Sequence, residues 1–295
     1  MRIILGCPKT VKLEVLRAEL GFPSIISRIH ELACRSVCRM ICNGNRNIQN
    51  VLARIHDNPR ASVRPYLRRL YNVLTRFNVI DPCLELVSNP CYPTWQPHRP
   101  SIDIECLAMP KGSWLPHVLK AHFMSKLSTY SQHEAIHVFC DGSVNGSKSG
   151  CGLFIRDYSS PTEYTDTEVS KRLPDNLSST RAKLYAILEA LRITVALRKH
   201  VYLFVDNQSA LYAFKSTSPT DCDLVNHCLR ILSVFKDNGL RALFTWVPSH
   251  VGIPKNERAD RLARDAIHDT PPHPGAEFTY NYIKNSLRSY ICSMF

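Results

Sequence analysis

The C-terminal half of this sequence predicts a mixed α/β domain, a five-stranded sheet flanked by helices, with a helical segment before it. Three observations predict it. Apolar residues recur at spacings of three and four before residue 80, and as short β-rich runs after residue 135. Seven prolines between the two patterns, from Pro82 to Pro116, disfavour both helix and central strand. The later β-rich and helical runs alternate in the order βββαβααβα, which suits a sheet covered by helices.

The first segment, residues 1–80, reads as helices over Val11–Glu19, Ile25–Cys42 and Ile48–Phe77. Gly21, Phe22 and Pro23 interrupt the first pair, and Asn43 to Asn47 the second. His30, Cys34, Cys38 and Cys42 are spaced by four. On one helix they spread over roughly 18 Å at ~1.5 Å per residue. Zinc ligands must converge to ~2.3 Å of one point, so these four read as a packed helix face. Residues 81–134 read as a linker or extended strap carrying Pro82, Pro90, Pro93, Pro97, Pro100, Pro110 and Pro116.

The domain proper is expected over 135–269, with 270–295 as a tail. Ile136–Asp141, Gly150–Arg156 and Thr165–Lys171 are its first strands. Ser178 or Ser179 caps a helix with the stripe Leu184, Ile187, Leu188, Leu191 and Val195. His200–Val205 shows no alternation, as for a strand covered on both faces, and Asp206 follows it. Helices over Gln208–Lys215 and Leu224–Lys236, a strand over Ala242–Pro248 and a helix over Asn256–Ile267 complete the order.

Composition narrows the class. Of 295 residues, 44% are apolar and 21% charged, which suits globular domains and excludes a disordered chain. No apolar run approaches the ~18–20 residues of a membrane span, and the N-terminal apolar run is too short for a signal peptide, so an intracellular protein without a membrane partner is expected. The twelve scattered cysteines fit reduced thiols there; nucleus and cytoplasm are not distinguished. Thirty-seven basic residues face 25 acidic ones, and the excess is +9 in residues 1–135 against +3 in the rest. That asymmetry suits an arm meeting phosphate, and equally a solubilising surface.

Asp141, Asp206 and Asp260 stand where the chain leaves a strand or enters a helix. Crowded carboxylates raise one another's pKa unless a cation meets them. Two metal ions ~3.5–4 Å apart would answer the crowding. Singly, each reads equally well as an ordinary strand-end or helix-start acid.

Three motifs carry a resemblance. Cys140-Asp141-Gly142-Ser143 resembles the first-strand motif of type 1 ribonuclease H, and Val205-Asp206-Asn207-Gln208-Ser209-Ala210-Leu211 its fourth-strand motif. Trp246-Val247-Pro248-Ser249-His250-Val251-Gly252-Ile253-Pro254, then Asn256-Glu257-Arg258-Ala259-Asp260, resembles the C-terminal motif of ribonuclease H domains in non-LTR retrotransposons. The resemblance implies a ribonuclease H-like sheet and hydrolysis of RNA in RNA–DNA hybrids, leaving 3′-hydroxyl and 5′-phosphate ends. It implies Asp141, Asp206 and Asp260 as ligands of two Mg²⁺ ions, with Mn²⁺ as a substitute. His250 would assist proton transfer or product release, or be simply a capped loop histidine, and Ser143 and Asn207 would touch the hybrid's backbone.

The family's fourth carboxylate, a Glu on the first helix, is replaced by Lys183 in Ser179-Thr180-Arg181-Ala182-Lys183-Leu184-Tyr185-Ala186. At 4 Å, unit charges interact by ~4 kcal/mol at an effective dielectric near 20, so an ammonium there repels a divalent ion strongly. Glu189 lies six residues on, about 240° around the helix, and does not replace it. Weak or absent hydrolysis is expected, which leaves open an inactive nucleic-acid-binding module or a non-functional remnant.

Arg2 to Thr10 and Leu16 to Pro23 resemble the end of the reverse transcriptase in the same elements, a helical thumb covering residues 1–60, with the polymerase palm absent. The resemblance allows Met1 to be internal to a longer reading frame. Arg54, Arg60, Arg64, Arg68 and Arg69 are expected as a basic surface for nucleic-acid backbone, or as a solvated face.

Overall fold

The structure, a computed structural model, describes residues 24–42, 45–58, 99–105, 115–215 and 222–269, with isolated positions 12, 60, 68, 71, 72 and 75. The chain divides into two compact units, Met1–Leu86 with Ala276–Phe295, and Val87–Gly275.

In the first unit, helix α1 spans Ile25–Cys42 and α2 spans Arg46–Asp57. Asn45 starts α2 by accepting the Ile48 amide at 3.2 Å, satisfying one of the free first-turn donors. Cys34, Val37, Cys38 and Ile41 form the buried stripe of α1, and Leu52 and Ile55 that of α2. The cysteine series is therefore part of one continuous helix, with Cys34 and Cys38 packed inside. The side chains of His30 and Cys42 lie outside the described residues. The expected third helix, Ile48–Phe77, is interrupted: α2 ends at Asp57, where Asn58 turns extended, and of the residues described beyond it Arg68, Tyr71, Asn72 and Thr75 are helical. The expected helix at Val11–Glu19 also lies outside what is described. Arg54 and Arg60 are exposed; Arg64 and Arg69 are outside the described residues.

The second unit holds the sheet. Its elements are β1 (Ser101–Asp103), α3 (Pro116–Leu127), β2 (Ala135–Asn145), β3 (Lys148–Tyr158), β4 (Tyr164–Leu173), α4 (Ser179–Val195), β5 (His200–Val205), α5 (Gln208–Lys215), α6 (Asp223–Asp237), β6 (Ala242–Trp246) and α7 (Pro254–Asp265). Strand order is β1-β6-β5-β2-β3-β4. The β1–β6, β6–β5 and β5–β2 pairs are parallel, and β2–β3 and β3–β4 antiparallel. The mixed sheet flanked by helices is as expected, but it has six strands, not five. The sixth comes from residues read as linker: Ser101–Asp103 adds to the outer side of β6. Three residues after a proline carry no readable alternation, and an edge position tolerates Pro100 beside them. Asp103 is fastened by the Lys126 ammonium at 2.6 Å and the Tyr130 hydroxyl at 3.1 Å. The same expected linker supplies α3, whose Phe123 is fully buried against Phe204, ring centroids 5.9 Å apart.

Strands β2 and β3 also run further than expected. Asp141 does not end β2, which continues to Asn145 and turns into β3 through Gly146 at φ +59°. What ends beside Asp141 is the pairing with β5: the last pair is Cys140 with Val205. Asp141 goes on to face Gly152 across the antiparallel ladder.

Candidate active site

Parallel pairing of β2 with β5 places their next residues, Asp141 and Asp206, side by side where β5 stops. Both are buried, at 4% and 9% exposure. Helix α4 is brought onto this end by two features. Ser178 caps it, its Oγ accepting the Arg181 amide at 3.2 Å. Gly142 lacks a side chain where one would collide with the backbone of Ala182 and Lys183. The helix therefore lies close enough for Lys183 to reach both acids.

It does reach them. Lys183 Nζ lies 2.7 Å from Asp141 Oδ1 and 2.6 Å from Asp206 Oδ1. Asp141 Oδ1 also accepts the Gly142 amide at 2.7 Å. Burial, then the Asp206 charge, push the Asp141 carboxyl up to about 6, although Lys183 pulls the other way. Burial lowers the Lys183 ammonium, but Asp141 and Asp206 outweigh it, and its pKa stands above the ordinary lysine value. The ammonium thus stays charged at the point midway between the carboxylates.

Asp260 belongs to a different set of contacts. Its Oδ2 accepts from Arg264 Nη2 at 3.0 Å, one turn along α7. Ligand atoms of His250, Glu257 and Asp260 all lie within 4.8 Å of one another. Among the described residues this is the set of three potential metal ligands so gathered; Asp141, Asp206 and Asp260 do not form one. Helix α7 nevertheless passes next to the acid pair's strand. A side chain on Gly152, the ladder partner of Asp141, would strike the carbonyl oxygen of Ala259, the residue before Asp260. His250 is exposed at φ +56° in the loop between β6 and α7. Glu257, three residues before Asp260, is not among the acids that the sequence marks as ligands; its helical i, i+3 spacing is the signal that would have found it. Its Oε1 accepts the Gly252 amide at 3.2 Å.

Of the two expected backbone contacts, Ser143 is half-buried on β2. Asn207 plays a structural part, because its Oδ1 accepts the Ala210 amide at 2.8 Å and starts α5. Glu189 is engaged elsewhere, with Lys171 at 3.1 Å and Arg192 at 2.8 Å.

The residues between β2 and β5 do not fit a divalent ion as they stand. Two carboxylates and one ammonium sum to −1, and the ammonium fills the point both carboxylates face. A doubly charged ion ~4 Å from that ammonium meets a repulsion of about 8 kcal/mol at an effective dielectric near 20, twice the unit-pair value, set against its attraction to the carboxylates.

Residues 133–268 match the family model described as RNase H. Several solved structures resemble the chain. The N-terminal RNase H domain of Rv2228c from Mycobacterium tuberculosis is 19% identical, with TM-score 0.37, over 45% of this chain and 98% of that one. RNase H1 from Halobacterium salinarum NRC-1 is 21% identical, with TM-score 0.36, over 46% and 99%. The foamy viral protease–reverse transcriptase, solved with an RNA/DNA hybrid, is 15% identical, with TM-score 0.39, over 46% and 20%. No curated protein sequence matches the chain.

Proposed function

We propose that residues 133–268 are a ribonuclease H-type domain that binds RNA–DNA hybrid and whose hydrolytic site is held shut by Lys183. The family match supports the first part. The single observation carrying the second is the Lys183 ammonium at 2.7 and 2.6 Å from Asp141 and Asp206. Hybrid would be recognised through 2′-hydroxyls on one strand and backbone shape on the other. Its phosphates would be met by basic side chains, the N-terminal half included. The motifs around Asp141, Asp206 and Asp260 support a retrotransposon-derived setting, beside the remains of a reverse transcriptase.

In this reading the acids are structural partners of the lysine. They hold α4 against the end of the sheet, and the Lys183 ammonium stands where a metal ion would bridge them. A Glu at position 183 would reverse the sign, giving with Asp141 and Asp206 three carboxylates that suit a Mg²⁺ or Mn²⁺ ion, with Asp260 on the neighbouring helix.

The test compares cleavage of a labelled hybrid in Mg²⁺ and in Mn²⁺ by the wild type and by Lys183→Glu, with binding followed by gel shift in EDTA. The expected result is hybrid binding without metal by both, and cleavage by Lys183→Glu at least a hundredfold faster than by the wild type. Equal cleavage by the two proteins contradicts the closed site. Absence of hybrid binding by the folded wild type contradicts the recognition.

A further inference from the structure

A cavity of about 750 Å³ lies at the end of the sheet away from the acid pair. Ser101, His200 and Ala242, at the starts of β1, β5 and β6, line it beside the last turn of α6. His200 precedes Asp206 by six residues, roughly 20 Å of strand at ~3.3 Å per residue.

Its charge is one-sided. Arg99, Lys236 and Arg241 line it, and among the described residues no carboxylate does. Asp237 follows Lys236 along the chain but is not part of the lining, and Asp103 of β1 is taken up by Lys126. None of the three cations has a carboxylate within 4 Å among the described residues.

Arg99 is the second observation. It is partly exposed at the cavity wall, yet its Nε and Nη1 are shut off from solvent and have no hydrogen-bond partner. Burial lowers its pKa from the ordinary arginine value, and no carboxylate raises it. Arg156 and Arg258 are the reverse, raised by Asp166 and by Glu168. A guanidinium that has lost water without gaining an anion keeps a poorly screened charge. An anion in the cavity would answer that charge without touching the two inner nitrogens.

Lys236, Arg241 and His200 are exposed, within direct reach of a ligand. The Arg241 amide donates to His200 Nδ1 at 3.1 Å, so the neutral ring carries its hydrogen on Nε2 and offers a further donor. Leu240 and Leu243, both partly exposed, supply apolar surface between the cations. The carbonyl end of α6 borders the cavity and opposes an anion. Its last carbonyls already accept the Asn238, Gly239 and Leu240 amides, so the three full charges prevail.

Several unanswered cations around one recess suit a ligand whose negative charges repeat. We infer that this cavity holds a single strand of nucleic acid by its backbone phosphates, on Lys236 and Arg241 with Arg99 behind them. A duplex, whose major groove alone is ~12 Å wide, is too broad for such a recess. The contact needs neither metal nor the acid pair, so it stands or falls apart from the reading of Lys183.

The test is fluorescence anisotropy of a labelled oligothymidylate with the full chain in EDTA, over a series of KCl concentrations. Lys236→Ala with Arg241→Ala removes two exposed charges and should leave the thermal melt in place. It should weaken binding at least tenfold at 100 mM KCl and flatten the log–log salt slope by roughly 1.4, about 0.7 per charge on a single strand. Lys236→Arg with Arg241→Lys keeps the charges and should bind within twofold of the wild type. Lys215→Ala with Arg261→Ala, equally exposed but on α5 and α7, should lose less than threefold. Binding of a DNA duplex of the same length should change less than threefold in the cavity pair. An equal loss in the two alanine pairs, or for strand and duplex alike, means general surface charge and overturns the inference. So does absence of oligothymidylate binding by the wild type. Displacement by polyglutamate as readily as by unlabelled oligothymidylate would assign the cavity to an acidic protein chain, and overturns it as well.

Discussion

Lys183 makes the candidate site at the scale of single residues. Removing one partner of a buried ion pair leaves an uncompensated charge, and costs about 3–5 kcal/mol. Lys183→Met should therefore lower stability by about that amount in urea denaturation with EDTA present, since Asp141 and Asp206 would face each other alone. The identity of this residue was legible in the sequence: the motif from Ser179 to Ala186 shows Lys where a carboxylate belongs. Its geometry was not. Charge alone predicted repulsion of metal, whereas the structure has the ammonium take the metal's place and join the two acids. Asp260 was expected with them; it pairs with Arg264, and its carboxylate lies within 4.8 Å of ligand atoms of His250 and Glu257. No spacing rule states which of several neighbouring cations an acid will meet. His137 offers a second test. Burial pushes its imidazole down to about 4 from an ordinary 6.5, despite the Ser131 carbonyl. The unfolded chain takes up a proton near pH 6.5 that the folded chain refuses until about 4. Its contribution is therefore intact above pH 6.5 and is lost as pH falls from there to 4, by about 3 kcal/mol in all. The melting temperature of the wild type should drop between pH 7 and 5 by more than that of His137→Phe.

Among the elements, the contact between β2 and α4 decides the site. Gly142 permits it, and Gly142→Ala, forced against the backbone of Ala182 and Lys183, should destabilise by about 1–3 kcal/mol as overpacking does. A melt of that variant checks it. The far side of α4 is held by Arg181, paired with Asp223 of α6 at 2.8 and 2.9 Å. The central strands and α4 to α7 were legible because buried strands give unbroken β-rich runs and amphipathic helices give stripes. Strand β1 and helix α3 were not. Three residues are too few for a period, and the face of α3 that carries Leu119, Phe123 and Leu127 also carries Lys120 and Lys126, which interrupt its apolar stripe. The extension of β2 beyond Asp141 was hidden by Gly142, Ser143 and Asn145, poor strand formers held in place by pairing with β3.

For the whole molecule the charge distribution matters most. A net +12, with +9 in residues 1–135, should make hybrid binding fall steeply with salt. Affinity is expected to drop at least tenfold between 50 and 200 mM KCl, about equally for hybrids of unrelated sequence; a filter-binding series measures it. Two compact units and a basic excess in one of them fit a protein that grips nucleic acid over more surface than the acid pair alone. In the proposed reading, Lys183 decides whether binding leads to cutting. The direct measurement is a crystal structure of the wild type and of Lys183→Glu, each soaked in MnCl₂, with anomalous density recorded between Asp141 and Asp206. The account predicts no manganese there in the wild type and manganese bound by both aspartates in Lys183→Glu. Manganese coordinated by Asp141 and Asp206 in the wild type, with Lys183 swung away, would contradict it.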